Sequence, residues 1–349
     1  MTMPTPPPSR PLLSAAAVII LFAGLKASGE LVVPFLLAIV LSVLANPLVL
    51  KFRSWKIPAV LSVLLAVVTF GLLFALVGGI VGGSLAQFTS AIPQYEVQLG
   101  HYLKEVQAQF VAWGLSENAV DLQSALNPAA AMAFVGQLLN GLLGLFSNFV
   151  LIALTMTFLL LEAADFRLKL QAAWGNSFTS GNGFNEVAAK VQRYLALKTL
   201  ISLATGVLIS LWTHFLGLDF PLLWGLIAFL LNYVPSIGSI IAAVPAVLLA
   251  ILQLGGIGAL WVALGFVVTN LVLGNIVEPR LMGRTLGLSP LVVFLSLLFW
   301  GWLWGPAGML LSVPLTVIAK ILLESSEGGR PIAVLLGPVQ EARQRISDS

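Results

Sequence analysis

Apolar residues run along this chain in blocks too long for a water-soluble fold. Between Lys56 and Glu96 there are 39 consecutive residues without a formal charge, and from Phe220 to Val277 there are 58. Because about 20 apolar residues in an α-helix cross a ~30 Å hydrocarbon core, such blocks predict membrane-spanning helices and an all-α polytopic membrane protein. The apolar segments lie at about 12–28, 31–50, 57–83, 134–161, 199–218, 221–253, 257–277 and 285–319.

Two of these segments are interrupted in the middle by residues that end helices. The segment 221–253, called here the first broken segment, contains the first break at Asn232–Ser239. The segment 285–319, the second broken segment, contains the second break at Trp300–Gly308. Each half has roughly 14 residues, or about 21 Å of helix, which is too short to cross the membrane. The pattern therefore predicts two re-entrant helical hairpins.

The positions of the basic residues orient the predicted helices, since Lys and Arg accumulate on the cytoplasmic side of membrane proteins. With a cytoplasmic amino terminus, about six full spans and two oppositely oriented hairpins place 15 of the 17 Lys and Arg residues inside. Only Lys26 and Lys104 remain outside, and Lys26 has Glu30 beside it in a short turn, which predicts an exposed pair. Both termini are then cytoplasmic, the first hairpin enters from outside, and the second enters from inside.

The two broken segments belong to a sequence repeat with an offset of 69 residues. At this offset Pro221 matches Pro290 and Pro245 matches Pro314, and a Leu-Gly-Leu turn precedes each segment. Because the charge pattern orients the two units oppositely, we predict an inverted repeat with paired discontinuous helices, an arrangement common among secondary transporters.

The predicted chain divides into seven regions. They are a Pro-rich cytoplasmic tail (1–11), spans one to three (12–83), an external amphipathic helical segment (84–131), the fourth span with a cytoplasmic loop (132–198), the first repeat unit (199–253), the second repeat unit (257–322) and a cytoplasmic tail (323–349). The external segment has a stripe at helical spacing formed by Tyr95, Leu99, Tyr102, Val106, Phe110 and Trp113. This stripe fits either the membrane surface or a neighbouring subunit.

Composition argues against an enzyme. Only 9% of the residues are charged, and the absence of cysteine excludes disulfides, thiol catalysis and Cys-ligated metals. Two histidines leave little material for a metal site, and the chain has no His-Glu-x-x-His, Gly-x-Ser-x-Gly or Walker motif. We therefore expect no catalytic residues, no cofactor, no metal and no nucleic acid, and the lipid bilayer as the main partner.

The remaining candidates for chemistry lie at the two breaks and in the span between them. Unwound backbone inside a membrane exposes N–H and C=O groups that bind polar solutes or ions. Asn270, Gly274 and Glu278 recur every four residues and so share a helix face. The Glu278 carboxylate either has a transport role or forms an interfacial ion pair with Arg280 or Arg284. The predicted substrate or ion ligands are Asn232, Tyr233, Pro235, Ser236, Gly238, Ser239, Asn270, Asn275, Glu278, Gly305, Pro306 and Gly308.

Several short motifs, in this order, resemble the signature of the autoinducer-2 exporter (AI-2E) family. They are Pro235-Ser236-Ile237-Gly238, the run from Asn275 to Gly283 around Glu278-Pro279-Arg280, and Gly305-Pro306-Ala307-Gly308 through Val313-Pro314 to Lys320. The order of helices over about residues 12–322 is similar as well, as are Tyr194 and Lys198 at the start of the fifth span. The resemblance implies a bacterial inner-membrane transporter that forms a homo-oligomer, with pentamers among its relatives. Some relatives export the signal autoinducer-2, and others are linked to sodium–proton antiport.

We therefore expect a secondary transporter that exports a small polar solute, such as autoinducer-2, by alternating access between the opposed hairpins. A sodium (lithium)–proton antiporter, with Na⁺ and H⁺ as ligands, is the alternative within the same class. A non-transporting membrane scaffold that binds partners through the stripe is the alternative from another class.

Overall fold

The computed structural model describes residues 11–112, 148–174, 183–234, 237–282, 287–324 and 328–339, with six single positions between 133 and 144. Within these ranges the regular structure is helical throughout. In chain order the helices are α1 (Pro11–Ala27), α2 (Gly29–Ser54), α3 (Ala59–Ala112), α4 (Phe149–Trp174), α5 (Gly183–Phe215), α6 (Pro221–Leu231), α7 (Gly238–Thr269), a π-helix (Asn270–Val277), α8 (Glu278–Met282), α9 (Pro290–Glu324) and α10 (Arg330–Leu336).

Five of the described helical stretches are long and apolar enough to cross a membrane. They are Gly29–Ser54, Ala59–Tyr95, Val191–Phe215, Gly238–Leu281 and Pro290–Lys320. In the most apolar window of each stretch, only 17–39% of the residues are buried inside the protein. The remaining apolar surface, which includes Leu72 and Ile257 at 67% and 79% exposure, is far larger than a water-soluble protein carries. The described helices are those of a multi-pass membrane protein.

Helices α2, α3 and α4 form one packed group whose contacts depend on small residues. Ala38 and Ala45 of α2 and Ala66 of α3 have no exposed surface, and Ile152 and Met156 of α4 pack into the same cluster. Because lipid tails are as apolar as leucine, helices in a membrane associate through close packing, and small side chains let their backbones approach.

Helix α3 runs without interruption from Ala59 to Ala112, through the boundary expected between a span ending at 83 and a separate external segment. Tyr95 and Leu99 of the predicted stripe are buried against the first broken segment of the same chain. The hydroxyl of Tyr102 also lies close to Gly256. The first half of the stripe therefore packs inside the protein, and its last residue, Trp113, lies outside the described residues.

The two predicted tails differ in how much of them the structure describes. Residues 1–10 and 340–349 lie outside the described residues. The region expected to be a carboxyl-terminal tail contains helix α10, which packs on α9. The Ser289 amide donates a hydrogen bond to the Leu336 carbonyl at 3.0 Å, so this part of the tail closes over the start of α9.

The first broken segment returns to the place where it begins. It consists of α6 and the part of α7 before Gly255, whose backbone (φ 72°, ψ −176°) interrupts the helix. The Asp219 amide donates to Gln253 Oε1 at 3.0 Å, and the Gln253 side-chain amide donates to the Asp219 carboxylate. Tyr95 of α3 donates to the same carboxylate at 3.3 Å. A straight helix of this length would separate its ends by about 50 Å, so these bonds require the chain to fold back.

The second broken segment also returns to its starting point. Helix α9 is interrupted at Trp304 (φ −131°, ψ 20°) and Gly305 (φ 62°, ψ −143°). At its far end the Lys320 ammonium donates to the Gly287 carbonyl at 2.6 Å across 33 positions of sequence. Lys320 is buried, with 6% of its surface exposed, and its ammonium lies 3.6 Å from Glu324.

The repeat found in the sequence has matching local structure at corresponding positions. Gly217 (φ 75°) and Gly287 (φ 59°) provide the left-handed residue of the two Leu-Gly-Leu turns. Pro221 and Pro290 are then the first residues of α6 and α9. Proline suits the first helical position because its fixed φ is helical and its missing N–H would have no partner there.

Candidate functional site

Each break brings the backbones of two helices into direct contact at a glycine. A Cβ atom on Gly238 would overlap the carbonyl oxygen of Leu231, and a Cβ atom on Gly308 would overlap that of Trp300. Only a residue without a side chain allows this approach. The two breaks therefore share the same feature, a close backbone contact at a glycine.

The first break is attached to α5 by two side-chain hydrogen bonds. Asn232, only 8% exposed, donates its amide N–H to the hydroxyl of fully buried Ser202 at 2.9 Å. Tyr233 donates its hydroxyl proton to Thr199 at 2.6 Å. Polar groups in such surroundings stabilise the structure only when paired, so these bonds fix the position of the break against α5.

A buried ion pair lies next to this break. The Lys198 ammonium of α5 donates to both carboxylate oxygens of Glu278, at 2.7 and 2.9 Å. The Lys198 side chain is 3% exposed and that of Glu278 is 21% exposed. Tyr194, Lys198 and Ser202 are four residues apart on α5, so these three residues lie on one face of the helix. Ionisable residues within a span are costly to bury and mark solute or ion pathways.

Glu278 follows directly on the π-helix rather than on a continuous α-helix. The sequence predicts Asn270, Gly274 and Glu278 on one α-helical face, but Asn270–Val277 forms wider turns. A Cβ atom on Gly274 would lie 2.9 Å from the Asn270 side-chain oxygen, so that side chain packs on bare backbone. Short π-helical stretches are frequent at functional sites, where they shift the residues that follow.

The ion-pair partner of Glu278 is Lys198, and the alternative of a pair with Arg280 is wrong. Arg280 is exposed, whereas Lys198 lies 80 positions earlier in the chain and is buried. Arg284, the other partner considered, lies outside the described residues.

The second break is held by tryptophan side chains. Trp304 donates its indole N–H to the Leu25 carbonyl of α1 at 2.9 Å, and Trp300 donates to the Thr316 hydroxyl at 3.1 Å. The two rings stack with their centroids 5.2 Å apart. Beside this break lies a cavity of about 360 Å³ lined by Pro306, among others. These contacts attach the second break to α1, at a place different from the α5 site of the first break.

Residues 15–328 match the sequence pattern of a known family, which is described as "AI-2E family transporter". The chain belongs to the AI-2E transporter family. It is 40% identical to the AI-2 transport protein TqsA of Escherichia coli, over 93% of this chain and 94% of that protein. It is also 37% identical to YhhT of E. coli, over 96% and 97% of the two chains. A Haemophilus influenzae relative is 39% identical over 95% and 97%. The protein is accordingly a membrane transporter and not an enzyme.

In this AI-2E family transporter the predicted site residues fall into two groups. Asn232, Tyr233, Gly238 and half-buried Ser239 belong to the first break, and Glu278 lies beside the α5 face that carries Lys198. Gly305, Pro306 and Gly308 form the second break. Asn275 is exposed on the π-helix. Pro235 and Ser236 lie outside the described residues.

Several polar residues of the candidate site are not among the predicted ligands. In the sequence only the family resemblance points to Lys198 and Tyr194, although a lysine inside an apolar span is itself a signal of function. Thr199 and Ser202 carry no such signal, because serine and threonine occur throughout membrane helices bonded to their own backbone. Their role depends on the approach of the first break, which a local pattern does not reveal.

Proposed function

We propose that this protein is a secondary transporter that exports a small polar solute, such as autoinducer-2, across the bacterial inner membrane by alternating access between its two broken segments. One observation carries the proposal. Both segments fold back to their starting points, and in both the two arms meet at a glycine that tolerates no side chain. Paired discontinuous helices of this kind line the binding sites of secondary transporters.

The contacts of the first break support its entry from the outer side. In the proposed topology, α5 begins in the cytoplasm and ends outside near Phe215, close to the hydrogen bonds between Asp219 and Gln253. Asn232 at the break bonds Ser202, which lies about 20 Å down α5 from Phe215. The first segment thus extends from the outer end of α5 towards its cytoplasmic end.

The contacts of the second break support the opposite direction. Helix α1 begins in the cytoplasm in the same topology, and the break reaches its outer end through the bond from Trp304 to Leu25. The hydrogen bond from Lys320 to the Gly287 carbonyl is then at the cytoplasmic base of the second broken segment. Each break thus lies near the side opposite to its own base, as two opposed re-entrant hairpins require.

Polar groups at the two breaks provide a path for alternating access. At the cytoplasmic end, the cluster around Lys198 and Glu278 is closed in this structure, and opening of the first break would offer its charges and hydroxyl groups to a solute from inside. At the outer end, a cavity lies beside the second break. In the exporting cycle the two breaks open in turn, so that no continuous pore forms.

The topology predicts the side from which introduced cysteines react, in a chain that has no native cysteine. Ile257→Cys, at an exposed position just after the first segment, should react with a membrane-impermeant maleimide from outside. Ile257 is preferable to Gly255, whose left-handed backbone disfavours a side chain. Gly328→Cys, also exposed, should react only from inside and serves as the matched control. Reaction of Ile257→Cys only from the cytoplasm would refute the re-entrant first segment.

Transport is tested with autoinducer-2 in everted membrane vesicles and in proteoliposomes that contain the purified protein. We expect uptake into everted vesicles, which corresponds to export from the cell, and none into vesicles that lack the protein. Light scattering of the purified protein in detergent, before reconstitution, gives the size of the expected homo-oligomer. Absence of any solute or ion flux under every gradient would instead favour the scaffold.

Cation–proton antiport is a second candidate, favoured by the buried Lys198–Glu278 pair. A carboxylate that releases a lysine in exchange for Na⁺ or H⁺ would couple cation movement to the position of the first break. Antiport predicts that Na⁺ or Li⁺ added to acid-loaded proteoliposomes releases protons. Autoinducer-2 uptake without such release would exclude this candidate.

A further inference from the structure

The cavity beside the second break has charged and polar side chains that the transport path through the first break does not use. It has a volume of about 360 Å³ and lies between the α1–α2 turn, the second break and the start of α4. Lys26 and Glu30 line it from the turn, and Asn148 lines it from α4. Trp304 and Pro306 of the break form the opposite wall.

Contacts with the second break hold the α1–α2 turn in place. A Cβ atom on Gly29 would lie 2.9 Å from the Trp304 ring, so this ring packs directly on the backbone of the turn. The Lys26 ammonium lies 4.7 Å above the centre of the Trp302 ring, a cation–π contact. Movement of the second break would therefore displace Lys26 and reshape the cavity.

The cavity has the same kinds of charged groups as the first break. Each break is accompanied by one lysine and one glutamate, Lys198 with Glu278 at the first and Lys26 with Glu30 at the second. Lys198 and Glu278 are buried and joined, whereas Lys26 and Glu30 are exposed in an open cavity. The two ends of the path thus offer a solute the same kinds of groups in a closed and an open arrangement.

We propose that this cavity is an outer solute-binding site, from which the transported solute is released. The proposal rests on the proposed function. A lysine and a glutamate in one cavity have no net charge together, so they suit a small solute without net charge that carries several hydrogen-bonding groups. The Asn148 amide adds a donor and an acceptor, and the Trp304 ring provides an apolar wall.

The test measures autoinducer-2 transport from each face of the membrane separately. Counterflow into right-side-out vesicles reports the half-saturating concentration at the outer face, and uptake into everted vesicles reports that at the inner face. Lys26→Gln and Glu30→Gln should each raise the outer value about tenfold, as expected for loss of a charge-assisted hydrogen bond. The inner value should stay within about twofold, because the first break keeps its own ligands.

Matched controls are available on the same side of the membrane. Lys104 and Glu105 of α3 are exposed and do not line the cavity, so Lys104→Gln and Glu105→Gln should leave both values unchanged. Gly144→Leu tests the space itself, since Gly144 lines the cavity and a Cβ atom there meets nothing within 4 Å. Gly144→Leu should raise the outer half-saturating concentration although it changes no charge. Gly79→Leu, in open surroundings on α3, should leave that concentration unchanged.

The outcomes separate this inference from the proposed function. No transport by the unmodified protein in either orientation would refute the proposed function. Normal transport with unchanged outer half-saturation in Lys26→Gln, Glu30→Gln and Gly144→Leu would refute the outer site alone. Equal shifts of the half-saturating concentration at both faces would also refute the outer site, because they would indicate a general change in the protein.

Discussion

Glu278→Gln is expected to lower the free energy of unfolding by about 3 kcal/mol, because it leaves the Lys198 ammonium buried without its counter-charge. Lys198 is 3% exposed and bonds both carboxylate oxygens, so it loses its charged partner in a site with little access to water. Lys198→Met should lower the free energy of unfolding by a similar amount. The double variant Lys198→Met/Glu278→Gln should recover most of the loss, since it removes both charges together.

Denaturant titration in detergent micelles, followed by tryptophan fluorescence, measures these differences. The exposed pair between Glu162 and Lys169 provides the control, with side chains 50% and 64% exposed. Glu162→Gln should cost less than about 1 kcal/mol, as is typical of solvated ion pairs. If Glu278→Gln were no more destabilising than this control, the Lys198–Glu278 pair would not be a buried one.

The double variant also separates structure from transport. If it is as stable as the unmodified protein but transports nothing, the ion pair belongs to the transport mechanism. If it is stable and transports normally, the pair is structural, and the cation–proton antiport candidate loses the observation that favours it.

Gly238→Ala and Gly308→Ala are each expected to reduce solute flux to less than about a tenth. A single methyl group at either position would overlap a backbone carbonyl oxygen, of Leu231 or of Trp300, so the two arms of the break must move apart. A change of about 1.4 kcal/mol in the barrier is enough for a tenfold effect on rate. Initial rates of autoinducer-2 uptake into everted vesicles, normalised to protein content, measure the loss.

Gly79→Ala on α3 is the control for these substitutions, because a Cβ atom there meets nothing within 4 Å. Gly305→Ala tests the backbone alone, since its side chain would have space and only the positive φ of 62° disfavours alanine, by about 1–3 kcal/mol. Gel filtration identifies any variant that fails to fold. Flux equal to that of Gly79→Ala in folded Gly238→Ala and Gly308→Ala would show that transport does not depend on the breaks.

Features of the fold that depend on local chemistry could be predicted from the sequence. Proline and glycine determine backbone geometry within a few residues, so the starts of α6 and α9 at Pro221 and Pro290 follow the repeat. Gly255 interrupts α7 between the predicted segments 221–253 and 257–277, as their boundaries require. The second break lies at Trp304 and Gly305, within the predicted Trp300–Gly308.

Features that depend on distant contacts could not be predicted. Lys198 and Glu278 are 80 positions apart, and nothing near either residue identifies the other as its partner. The continuation of α3 to Ala112 was missed because hydropathy reports the end of the apolar block, whereas the helix continues. Packing of Tyr95 on the first segment likewise depends on where that segment folds back. In uniformly apolar helices, periodicity does not distinguish a buried face from one that contacts lipid.

Alternating access is tested most directly by the reactivity of single cysteines at the two ends of the path. Ser239→Cys lies at the first break and Asn148→Cys in the cavity beside the second break. Each is reconstituted in liposomes and labelled from either side by an impermeant maleimide, with and without saturating autoinducer-2. Alternating access predicts opposite responses, with solute raising labelling at one position and lowering it at the other. Simultaneous labelling of both positions at rates unaffected by solute would indicate an open pore or an inert scaffold, and would contradict alternating access.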